Sequence, residues 1–181
     1  MVYEQMRRFF EFSGRTGTLA VALVAVAVLL LVVFPNLPVG GDMLDTKPGY
    51  AYQEAMASME EYGADGRTTY ALASMSLDTL FPLAYVTLFA GLIYRFRATE
   101  GTWWLAYIPV VAGLCDLLEN VQITAMLVQY PDIGAVQVAW ASAFTTVKWW
   151  IGSGYQILGV GLLLLAAGRA VFARIRGGDE S

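Results

Sequence analysis

The sequence predicts an all-α fold: a four-helix transmembrane bundle with an amphipathic helix in its outer loop. Three observations carry that prediction. Four apolar stretches are each long enough to cross a hydrocarbon core of about 30 Å, the basic residues gather on one side of them, and the few ionisable residues within them recur at helical spacing. The 181 residues show no internal repeat, low-complexity tract, nucleotide-binding glycine motif or separable soluble segment, so 1–181 reads as a single integral membrane domain.

The first span, residues 18–34, has no polar residue after Thr18. Its apolar stretch is too long for the h-region of a secretory signal, and the following PNLPVGG offers no small-residue cleavage site, so it reads as a retained anchor. The outer loop, residues 35–70, opens with the turn formers Pro38, Gly40, Gly41, Pro48 and Gly49. In its second half AYQEAMASMEEY sets Tyr52, Met56, Met59 and Tyr62 near one stripe, which predicts a short amphipathic helix stopped by Gly63. Such a helix either packs on the end of the bundle or the membrane surface, or acts as a lid. The remaining spans are residues 71–94, 103–130 and 135–167, the last two longer than a bilayer requires.

Arg7, Arg8, Arg15, Arg95, Arg97, Arg169, Arg174 and Arg176 all fall on one side of this arrangement, which places both termini in the cytoplasm of a multi-pass plasma-membrane protein. The other side carries Asp42, Asp45, Glu54, Glu60, Glu61, Asp65 and Asp132 against Lys47 and Arg67. An acidic face argues against nucleic acid as a partner. The absence of histidine removes imidazole acid-base catalysis and His-ligated metal sites, and the single Cys115 removes an internal disulfide or a paired-thiol redox centre. No cofactor or metal is expected, and any catalysis would rest on carboxylates, Lys, Tyr or a bound ion.

The informative residues are the charges inside the spans: Asp78, Asp116, Glu119 and Lys148. Each costs about 2.5–3.5 kcal/mol in hydrocarbon even on insertion scales, so such groups face one another and mark a site. At about 1.5 Å per residue, Asp78, Glu119 and Lys148 lie at similar depth in the outer half of the bundle, with Asp116 slightly deeper. Asp116, Glu119 and Asn120 share one helix face; Arg67, Ser74, Asp78 and Tyr85 form a stripe on the second span; Gln137, Ala141, Lys148, Gly152, Tyr155 and Gly159 form one on the fourth. Three such faces meeting make a polar pocket, with Arg67, Asp78, Tyr85, Asp116, Glu119, Asn120, Lys148 and Tyr155 as its candidate ligand-binding residues. Trp149 and Trp150 are either an outer aromatic belt, matching Trp103, Trp104 and Tyr107 on the inner side, or walls of that pocket.

Three carboxylates against Lys148 leave negative charge in excess, so a carboxyl is protonated, a cation or amine is bound, or the charges act only as helix glue. The segments LDTKPGYAYQEA, YGADGRTTY, LDTLFPLAY, CDLLENVQ and FTTVKWW resemble a group of small prokaryotic four-helix membrane proteins, over most of residues 42–150. The resemblance marks Gly63, Gly66, Arg67, Tyr70, Asp78, Phe81, Pro82, Tyr85, Asp116, Glu119, Asn120 and Lys148, and implies no activity. The architecture is also similar to the four-helix sterol-isomerase and sigma-2-receptor-like superfamily, whose members hold lipidic ligands against intramembrane acids; the histidine of its isomerase branch is absent here.

Three functions follow as expectations. The first is an outward-facing pocket that binds or transports a cation, a proton or an amphiphile head group. The second is an intramembrane enzyme acting on a lipid, with Glu119 or Asp116 as acid/base and Lys148 or Arg67 stabilising negative charge. The third is a structural or accessory subunit. Membrane lipids are partners under all three; the transport reading also asks for a homodimer, since four helices enclose only a thin path.

Overall fold

The structure, a computed structural model, describes residues 2–178, and within them the side chains of all but Val2, Ala173, Arg174 and residues 176–178. Two arginines of the basic side, Arg174 and Arg176, therefore lie outside the described side chains. The described residues are helical with no strand, and Thr16–Asn36, Tyr52–Phe96, Glu100–Gln129 and Ala135–Phe172 are long and apolar enough to cross a membrane.

Helix α1, Val2–Ser13, precedes the first span and was not among the expected elements. Its short amphipathic pattern explains it: Phe10 is buried, edge-on to Tyr107 at 5.0 Å and tilted on Tyr94 at 6.0 Å, while Arg7, Arg8 and Glu11 stay exposed. Helix α2, Thr16–Val28, continues through a π-helical stretch, Leu29–Val33, and a 3₁₀ turn, Phe34–Asn36. Apolar on every side, it has no preferred packing face, and within Thr16–Val28 only Ala22 and Val26 are buried. It rests on the helix Leu77–Phe96 and makes no comparable contact with the helix Ala135–Gly178.

The chain then runs as an irregular strap over residues 37–51, with a 3₁₀ turn at Leu44–Thr46. Helix α3, Tyr52–Met75, is two helical pieces joined at Gly63, whose φ of 64° and ψ of −179° suit glycine and interrupt the helix where the amphipathic segment was expected to stop. The buried side of its first piece, Ala55, Ser58, Met59 and Tyr62, packs on the bundle end. Its second piece is already helical before residue 71 and breaks again at Ser76 before α4, Leu77–Phe96.

A 3₁₀ segment, Glu100–Ala106, leads into α5, Tyr107–Gln129, and α6 runs from Ala135 to Gly178, well past the expected end at 167. Helices α4, α5 and α6 pack mutually, α5 holding the centre against α3 and α6. One core cluster, including Leu44, Met59, Tyr70, Ile123 and Met126, unites the strap, α3 and α5; another, including Phe10, Leu88, Ile93 and Ala106, closes the arginine-bearing end.

Candidate functional site

The i+3 and i+4 relation of Asp116, Glu119 and Asn120 turns all three inward, and all three are buried. Across from them α6 presents Thr145 and Lys148, one turn apart. The Lys148 ammonium lies 2.6 Å from Glu119 Oε2 and 3.2 Å from Asp116 Oδ1. The Thr145 hydroxyl donates to Glu119 Oε1 at 2.5 Å and is also 3.1 Å from the Ala141 carbonyl. Glu119 is fully buried, its Oε1 accepting from Thr145 and its Oε2 held by charge contact with Lys148 without the geometry of a hydrogen bond, which ties α5 to α6.

Asn120 answers a different need. Pro82 lies inside α4 and has no N–H, so the carbonyl four residues earlier, that of Asp78, loses its helical partner. Asn120 Nδ2 donates to that carbonyl at 2.8 Å from the neighbouring helix. A buried acceptor orphaned by proline is thereby satisfied.

The Asp78 carboxylate is buried and, among the described residues, has only the Ser74 hydroxyl, at 3.5 Å, as a weak donor. It lines a cavity of about 720 Å³ together with Asp116 and Lys148. The strap adds Asp45 to the same lining, an acid that periodicity does not point to because it sits on irregular chain. The Tyr70 hydroxyl donates to Asp45 Oδ1, and Trp149 Nε1 donates to the Asp45 carbonyl at 3.3 Å. Nearby, the Tyr50 N–H donates to Ser142 Oγ at 2.9 Å, and burial pushes its phenol above the ordinary tyrosine range.

Aromatic rings complete the walls. Tyr85 stacks on Tyr155 with centroids 5.8 Å apart and planes within 12°, Phe81 stands edge-on to Tyr85 at 5.2 Å, and Phe34 from the end of the first span stands edge-on to Phe81 at 5.4 Å. The buried Tyr85 hydroxyl stands beside Asp116 but makes no hydrogen bond of ordinary geometry among the described residues. Trp149 lines the cavity, whereas Trp150 is 79% exposed, so the two tryptophans divide between pocket wall and outer surface.

Of the eight candidate residues, Arg67 stands apart. Its guanidinium donates to the Met59 carbonyl at 2.7 Å and lies over the Tyr130 ring at 4.3 Å, stitching α3 to the end of α5 and bringing no charge to the acids. The breaks at Gly63 and Ser76 explain why the straight stripe through Arg67 and Asp78 does not hold. Asp78, Tyr85, Asp116, Lys148 and Tyr155 line the cavity; Glu119 and Asn120 sit behind it. Thr145 was not among the expected residues, although its position four residues after Ala141 sets it on the same face of α6. No group of three or more Asp, Glu or Cys side chains among the described residues is arranged to hold a metal ion. No protein-family model matches this chain, and no curated protein or solved structure matches it.

Proposed function

We propose that this is a multi-pass plasma-membrane protein with cytoplasmic termini, whose pocket in the outer half of the membrane binds a positively charged ligand, either a small cation or the head group of an amphiphile. One observation carries the reading: Asp45, Asp78 and Asp116 line a single cavity with Lys148, whose charge is already shared between Asp116 and the fully buried Glu119. Uncompensated carboxylates in a low-dielectric site favour a cation over an anion or a neutral solute. The aromatic faces of Tyr85, Tyr155 and Phe81 add the negative π surfaces that attract an ammonium group. Glue is the better account of the Lys148–Glu119–Thr145 set alone, which is closed on itself.

Thermal unfolding in a neutral detergent tests this. Tetramethylammonium should stabilise the protein in a saturable way, by about 2.7 kcal/mol at a hundredfold excess over its dissociation constant. Asp78→Asn and Asp116→Asn should raise the stability of the empty protein and weaken that response. A parent that responds to no cation, with both amide variants unfolding earlier, would overturn the reading in favour of structural glue.

A further inference from the structure

The geometry points to a more specific ligand: a membrane amphiphile with an ammonium head and an apolar chain, which enters sideways from the outer leaflet through the cleft between α2 and α6. This rests on the cationic-pocket reading and adds the chain, the route and the wall that receives it. A volume of about 720 Å³ is in the ordinary range for a small organic ligand, well beyond what a lone cation fills.

The lining explains why a chain is needed. Val26, Leu30 and Phe34 stand at intervals of four on the first span and form one apolar wall about 12 Å long. Phe81 and Phe89 of α4 back it, and Gly152 and Ser153 of α6 stand on the other side of the cleft. A hydrated inorganic ion gains nothing from such surfaces. Leu30 lines the cavity yet is 47% exposed, because α2 leans on α4 and leaves α6 unaccompanied on that side. The opening therefore lies within the apolar length of the helices.

The strap crosses the loop end of the cavity and is tied at several points: the Tyr62 hydroxyl donates to the Asp42 carbonyl at 2.6 Å, Tyr70 and Trp149 hold Asp45, and Thr146 donates to the Pro48 carbonyl at 3.1 Å. The head-group end gathers the acids beneath the strap, and there the buried Tyr85 hydroxyl, beside Asp116 but without a hydrogen bond of ordinary geometry among the described residues, supplies a further polar atom for a ligand. An ammonium head enters that end while its chain stays against α2, so the ligand need not leave the hydrocarbon.

The test compares decyltrimethylammonium, tetramethylammonium and decyl sulfate by titration of the full chain in a neutral maltoside detergent. The decyl ammonium should bind at least tenfold more tightly than tetramethylammonium, and decyl sulfate should not displace it. Two variants narrow the cleft from opposite sides. Gly152→Leu starts where an added Cβ meets nothing closer than 4.0 Å, and Leu30→Trp changes a residue already half exposed. Both should weaken the decyl ammonium at least tenfold and leave tetramethylammonium within twofold. Equal affinity for the two ammonium ions, or cleft variants that leave the decyl compound unaffected, overturns the lateral route while the cationic pocket stands. If neither ammonium compound binds, or decyl sulfate binds equally well, the pocket reading falls with it.

Discussion

Asn120 reads from sequence as one polar member of an acidic face, and only the contact with α4 reveals its task. Its amide serves a carbonyl that Pro82 has stripped of its helical donor. Removing the amide should leave that buried acceptor unsatisfied, at a cost of about 1–3 kcal/mol. Replacing Pro82 by Ala restores an N–H to Asp78, so Asn120→Ala should be less harmful in that background. A double-mutant cycle measured by unfolding in mixed micelles checks this, with a coupling of about 0.5–3 kcal/mol expected; strict additivity would refute it. The same pair shows what residue-scale reading reaches. Helical spacing puts Asp116, Glu119 and Asn120 on one face, and charge predicts that Asp78 or Glu119 meets Lys148; Glu119 does, joined by Asp116 in place of Asp78. Nothing local in the sequence says which polar atom answers a missing hydrogen bond on a different helix.

At the scale of elements, long apolar runs and their breaks were legible, because period and length report directly on burial and span. The strap was not. Its contacts are set by backbone meeting backbone, as at Gly66, where an added Cβ would come within 2.0 Å of the Val39 carbonyl. Gly66→Ala should therefore push the strap off α3 and destabilise the protein by about 1–3 kcal/mol. Gly154→Ala, where a Cβ meets nothing within 4 Å, should be neutral or stabilising by up to about 1 kcal/mol. Paired melting curves, with proteolysis of the strap as a second readout, distinguish a displaced strap from a general loss of packing. Asp45 escaped sequence reasoning for the same reason: a loop residue reaches a site through the fold, without a periodicity to announce it.

For the molecule as a whole, the distribution of arginines predicts that the end bearing residues 37–63 faces outward. In a Cys115→Ala background, an impermeant thiol label should modify Glu60→Cys in intact cells, while Thr99→Cys should react only after lysis; the reverse pattern would invert the topology. The position of Lys148 also bears on the order of synthesis. The chain is made from its N-terminus, so Asp116 and Glu119 leave the ribosome before the only ammonium they contact among the described residues, which arrives on α6. Each such acid opposes partition of an isolated helix into the bilayer by a few kcal/mol, on the order of the 2.5–3.5 assigned to aspartate at mid-membrane. Helices α5 and α6 should consequently enter the membrane as a hairpin, with α5 waiting at the insertion machinery until Lys148 emerges. Chains stopped at Asp132 should leave α5 accessible to protease, and chains carried past residue 167 should protect it; early protection of the shorter chain would show that α5 commits to the bilayer alone.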